Sequence, residues 1–183
     1  RAKLDLDLAR GWLKQAGKSD DPEEKANLRR QARDVFRGVV EDLQSVVKNA
    51  YEKYKDVSAK VRDLDEETIK RQRLKQKRMS AYQEFYLAMQ RYIRAALEMI
   101  DTFEEDSPEK KAFVQALCEE MEGWYNTISE FEIDAMWLEF AWGYALTKVK
   151  EYETAIAKFD DVLSFDPIEF PPQFREYIAG IQE

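Results

Sequence analysis

Residues 142–167 read WGYALTKVKEYETAIAKFDDVLSFDP. Apolar side chains three and four apart make most of this stretch amphipathic helix. Four residues ask for a further reason: Gly143, Ala155, Phe159 and Pro167. Small residues at 143 and 155 let two helices approach closely, an aromatic at 159 fills the space beyond them, and a proline at 167 stops the second helix. The spacing therefore predicts two short helices, about Ile133 to Lys148 and Glu151 to Ser164, joined by a tight turn.

The same periodicity runs outward through nearly the whole chain. A first helix is expected over Ala2 to Gln15, ending near Gly17. A second opens at SDDPEE, where Asp21 is placed to cap, Pro22 suits the first helical position and Glu24 completes a capping-box pattern. Its apolar stripe is Leu28, Ala32, Phe36, Val39, Leu43, Val46, Ala50 and Tyr54. A polar stretch follows from Asp56, with Asp63 and Glu66 again spaced as a cap. From Tyr82, the residues Phe85, Met89, Tyr92, Ile93, Ala96, Ile100 and Phe103 share one face. Ser107-Pro108 restarts the count, because serine caps and proline is tolerated only in a first turn. Phe113, Leu117, Met121, Trp124, Ile128 and Phe131 form the next stripe. PPQFREYIAGIQE begins one more helix, whose Phe174, Tyr177, Ile178 and Ile181 need a cover.

Composition agrees with an all-α chain. Only six Gly and five Pro interrupt 183 residues, and no apolar run approaches the roughly 20 residues needed to cross a bilayer. There is no His, which removes the commonest general base, the usual zinc ligands and the Glu-x-x-His pairs of di-iron bundles. Cys118, the single cysteine, has no internal disulfide partner and sits beside Leu117 at core spacing, so it is expected to be a buried structural thiol. The chain is expected to be non-catalytic, with no cofactor and no metal. Its net charge of −8 argues against nucleic acid as the main partner. The opening Arg in place of Met suggests a processed or trimmed chain, and the uncovered last helix suggests that the protein continues past Glu183.

The pattern Trp142-Gly143, Ala155-x3-Phe159 and Pro167 resembles the tetratricopeptide repeat, a helix-turn-helix unit of about 34 residues. Tyr152, just after the turn, is similar too. The departures are Glu139 where an aromatic is usual, Trp142 for Leu, Leu146 for Tyr, Lys150 for Gly and Val162 for Ala. Upstream, LARGWLKQAG followed by QARDVFRGVVED resembles a degenerate first repeat, with Ala32-x3-Phe36-x2-Val39 echoing Ala155-x3-Phe159-x2-Val162. The layout resembles bacterial multi-repeat proteins of the cell envelope, and leaves envelope or periplasm and cytoplasm both open. What the resemblance implies is antiparallel helical hairpins stacked as a right-handed α-solenoid. It would form a single domain over 1–183: a first hairpin at about 1–57, long middle helices at 63–131, the best repeat at 133–167 and a further helix starting at 171–183.

In that family the first helices line a groove that takes peptides or partner helices. The resemblance puts Trp137, Phe140, Tyr144, Thr147 and Lys148 toward it, with Gly143, Ala155, Phe159 and Pro167 packing the repeat. Phe140 and Tyr144 stand where the chaperone-binding members carry Lys and Asn, which argues against a terminal carboxylate as the ligand. Packing of these aromatics against the helix at 113–131 is the competing expectation. The basic run KRQRLKQKR supplies a second candidate surface in Lys70, Arg71, Arg73, Lys75, Lys77 and Arg78, toward an anionic surface or nucleic acid, or simply as a solvated face paired with Asp65, Glu66 and Glu67. The expected function is a protein-protein interaction or scaffold module for a protein or peptide partner. The alternative from another class is a structural subunit that assembles with copies of itself.

Overall fold

The computed structural model describes residues 2–62 and 69–164, apart from the side chains of 2–4, 69, 70, 132 and 133. Pro167, the segment 171–183 and the capping pair Asp63 and Glu66 lie outside these residues. The described chain is all-helical: α1 (Ala2–Ala16), α2 (Pro22–Arg62), α3 (Ile69–Ile100), α4 (Pro108–Ile128), α5 (Glu132–Thr147) and α6 (Tyr152–Leu163). It divides into two compact units, 1–103 and 104–183. The division falls inside the 63–131 stretch that the sequence groups as long middle helices.

In the first unit, α2 packs against both α1 and α3. Start signals at α2 are those the sequence offers, with one change of partner. Asp21 Oδ1 accepts from the Glu23 backbone N–H at 2.9 Å, while the Asp21 N–H donates to Ser19 Oγ and the Ser19 hydroxyl donates to Glu24. Serine 19 thus stands between the two halves of the capping box. Although the sequence from Asp56 reads as polar, α2 continues through it to Arg62. Val40, Val47, Tyr54 and Val61 are buried at strict seven-residue spacing. On α3, Ala81, Phe85, Ala88, Tyr92, Ala95 and Met99 are buried at alternating four and three. Both spacings keep a seam facing a partner helix, the coiled-coil solution to two long antiparallel helices. At the far end of α3 Arg33 closes the unit: its Nε donates to Thr102 Oγ1 at 3.2 Å, another guanidinium N–H donates to the Thr102 carbonyl, and the cation lies 4.5 Å from the Phe103 ring centroid.

In the second unit α5 packs between α4 and α6. Ser107 caps α4, its side chain accepting from the Lys110 N–H at 3.2 Å, with Pro108 in the first turn. The α4 core is Val114, Leu117, Cys118, Met121 and Ile128. Phe113 and Trp124, expected in that stripe, are only half-buried because the inward face is turned one residue toward Val114 and Cys118. α5 is apolar on nearly every side, as a helix covered on two sides must be. The turn into α6 is made by Lys150 in the left-handed region, at φ 65. Glycine adopts this conformation freely and lysine does not. That is a physical reason for a glycine at the position where this sequence has Lys150.

Candidate partner-binding face

The α5–α6 hairpin is fastened where the sequence places its small residues. Gly143 is buried, and a Cβ on it would come 2.7 Å from Cε1 of Phe159. Ala155 and Val162 are buried on the same side of α6. Phe159 then reaches past Gly143 to Phe140, with ring centroids 5.9 Å apart.

Phe140 and Tyr144 are one helical turn apart and their rings stack at 6.5 Å. Around Tyr144, Lys148 places its ammonium 4.9 Å from the ring centroid, and the Thr147 hydroxyl donates to the Tyr144 carbonyl at 2.7 Å. Four of the five residues expected in the groove are therefore brought together: Phe140, Tyr144, Thr147 and Lys148. The fifth, Trp137, is buried at 8% exposure, while Tyr144 is 39% exposed. Both lie on one side of α5 by spacing, but the cover changes along the helix axis.

The sequence reading missed the contribution of α6. Tyr152 and Ile156 are 56% and 57% exposed, and Leu163 is exposed as well. With Phe159 they recur at intervals of four, three and four, so they form one stripe beside the buried Ala155 and Val162. The stripe meets α5 at the Phe140–Phe159 contact. The result is an aromatic and aliphatic face shared by two helices, with a cation at Lys148 on its edge. The signal was in the spacing of 152, 156, 159 and 163, which a search for core positions reads as inward.

A buried polar cluster lies elsewhere in this unit. Glu139 is 3% exposed, and the Tyr125 hydroxyl of α4 donates to its carboxylate. Burial raises the Glu139 pKa, the Tyr125 hydrogen bond opposes the rise, Asp161 adds to it and Lys158 opposes it. Burial, with the Glu139 hydrogen bond next, pushes the Tyr125 phenol up to about 12. Lys158 stands between aromatic faces, 4.2 Å from the Trp142 ring and 5.6 Å from that of Tyr125. Burial pushes the Cys118 thiol up to about 12, against a hydrogen bond from the Trp142 side chain. A thiol this far from ionisation is a poor nucleophile. Glu139 was visible in the sequence as the carboxylate inside the apolar run MWLEFAW.

Of the basic run, Arg73, Lys75 and Lys77 are exposed, whereas Arg71 and Arg78 are half-buried. Arg78 donates to the Tyr54 hydroxyl at 3.0 Å, so it serves the α2–α3 seam. The Lys70 side chain and the acidic residues 65–67 lie outside the described residues. A groove of about 480 Å³ between α1 and α2 is lined by Asp5, Asp34, Val35, Gly38, Val39, Glu41 and Asp42. Among the described residues no group of three or more His, Cys, Asp or Glu is placed to hold a metal ion, and no helix is long and apolar enough to cross a membrane. Comparison of the chain with protein-family models, with curated proteins and with solved structures finds no match.

Proposed function

We propose that this chain is a non-catalytic interaction module that holds a protein or peptide partner on the face shared by α5 and α6, within a tetratricopeptide-like stack of helical hairpins. The observation that carries the reading is the exposed stripe Tyr152, Ile156 and Leu163 beside Tyr144. Large apolar side chains grouped on one face, rather than scattered, mark a surface that another molecule covers. Tyrosine suits such a site because it offers a large contact area with a polar tip. An amphipathic helix or extended apolar segment with an acidic residue for Lys148 matches this chemistry. The hairpin packing of Gly143 against Phe159 and the left-handed turn at Lys150 support the repeat reading.

The test is a crosslinking capture from native extract with the wild-type chain and with Tyr144→Ala/Ile156→Asp, both checked for equal helix content and melting temperature. A protein captured by the wild type and lost from the variant supports the reading. Equal capture by both removes this face from consideration. Trp137→Ala is the wrong probe, because that ring belongs to the core.

A further inference from the structure

The buried polar cluster of the second unit plays no part in the face proposed for α5 and α6. Lys158 and Asp161 are three residues apart on α6, across the buried Ala155 and Val162 from the exposed stripe. Glu139 is the most buried member, 3% exposed, on the helix that packs between α4 and α6. The charged and titratable groups that face it are Tyr125 from α4 and Lys158 and Asp161 from α6. Cys118 of α4 is held through the Trp142 side chain instead.

The half-buried Lys158 stands in a cluster with two carboxyl groups, yet among the described residues it makes no ion pair with either. Its ammonium lies on aromatic faces, 4.2 Å from the Trp142 ring of α5 and 5.6 Å from the Tyr125 ring of α4. Ring quadrupoles attract a cation, but less strongly than a carboxylate charge does in the same low-dielectric place. The preference for the rings is accounted for when Glu139 carries a proton, since a neutral carboxyl has no net charge to compete with them. Burial favours that neutral form. Asp161 is exposed, so water screens its pull on the ammonium. One phenol touches both members of the pair: the Tyr125 hydroxyl donates to Glu139 and its ring carries Lys158.

We propose that Glu139 and Lys158 form a proton-operated bridge between α6 and α4. With Glu139 neutral, the ammonium rests on Tyr125 and Trp142 and ties α6 to α4. With Glu139 ionised, its proton released to solvent, the ammonium swings off the Tyr125 ring to the carboxylate of α5, and the tie to α4 is lost. The four-carbon stem of lysine allows this movement without a change in the helices. Because burial raises the folded value of Glu139, the bridge is present on the acid side and is released as pH rises through that value.

The experiment is an NMR titration of the whole chain from about pH 5 to about pH 8.5, above the ordinary carboxylate range and below that of lysine and tyrosine. It follows the Glu139 carboxyl carbon and the Lys158 ε-methylene protons, which a ring face shifts upfield. In the wild type the Lys158 signals are expected upfield at the acid end and to return toward the ordinary lysine position with the midpoint of the Glu139 carbon. In Glu139→Gln they are expected to stay upfield throughout, and in Asp161→Asn to titrate as in the wild type. Lys158→Met keeps an apolar stem on the rings and removes the cation, so the Glu139 midpoint is expected to move to higher pH. Helix content is measured on every variant, and the Lys158→Met arm stands alone if Glu139→Gln does not fold. Lys158 signals that ignore pH in the wild type overturn the proposal. So does an unchanged titration in Glu139→Gln, or a Glu139 midpoint that Lys158→Met leaves in place. Loss of the Lys158 titration in Asp161→Asn also overturns it, giving the acceptor role to Asp161. None of these outcomes touches the α5–α6 face, so the two proposals fail separately.

Discussion

Gly143 faces the ring of Phe159 so closely that a Cβ at 143 would lie 2.7 Å from Cε1. Alanine at this helical position gains about 1 kcal/mol in propensity, but overpacking costs about 1–3 kcal/mol. Gly143→Ala is therefore expected to destabilise the second unit by about 1 kcal/mol on balance. In a Phe159→Ala background the clash is gone and the same change becomes neutral or favourable. Denaturant unfolding of the four proteins in this cycle measures the sign change, and equal cost in both backgrounds would show that the ring is not the cause.

Asp106 and Lys150 are the two non-glycine residues with positive φ among the described residues, and they bond to each other at 2.7 Å. Lys150→Gly is expected to raise the melting temperature, because relief of the left-handed backbone outweighs an exposed ion pair screened by water. The hydrogen bond from Lys150 holds the Asp106 carboxyl below its ordinary range. A lowered folded value contributes stability above the ordinary range and loses it as pH falls through the folded value. Lys150→Gly should accordingly flatten that acid limb in melting curves taken across pH.

Glu139 has the opposite sign. Burial raises its folded value above that of the unfolded chain, so the stability it permits is fully present below the unfolded value and is lost as pH rises through the folded one. Glu139→Gln keeps an acceptor for the Tyr125 hydroxyl and removes the charge. It is expected to be more stable than wild type at neutral pH, with the difference shrinking on acidification. A variant less stable at neutral pH would mean that Lys158 compensates the buried carboxylate fully.

Trp137 and Tyr144 share a side of α5 but not an environment. Trp137→Ala is expected to cost about 3–5 kcal/mol, as for other large buried side chains. Tyr144→Ala is expected to cost about 1 kcal/mol or less while affecting partner capture. Chemical denaturation of the two variants separates them.

At the end of α3, Arg33 satisfies a residue that is fully buried, Thr102, through its hydroxyl and its carbonyl. Arg33→Ala strands both acceptors and is expected to destabilise the first unit by about 2 kcal/mol. Arg33→Lys should recover only part, since an ammonium cannot reproduce the fork or stack as well on Phe103.

Much of the second unit was legible in the sequence. Ser107-Pro108 gave the start of α4 because capping and proline geometry act within one turn. Gly143, Ala155 and Phe159 marked the hairpin because close approach requires small residues at fixed spacing. The basic run was legible as composition, but the place of Arg78 in the α2–α3 seam was not, since its partner Tyr54 comes from the preceding helix. The inward turn of α4 toward Val114 and Cys118 was also hidden, because Phe113 and Val114 are both apolar and spacing alone does not choose between them.

By itself the sequence determined the helical class, most of the helix starts and the small-residue hairpin, all of which depend on interactions within a few turns of one chain. Only the tertiary structure decided that Trp137 is inside while Tyr144 is outside, that Glu139 is buried against Tyr125, and that α6 contributes Tyr152, Ile156 and Leu163 to an exposed face. The physical reason lies in α5: a helix apolar on nearly every side has no preferred face by periodicity, so what covers each residue depends on the neighbours that pack along its length.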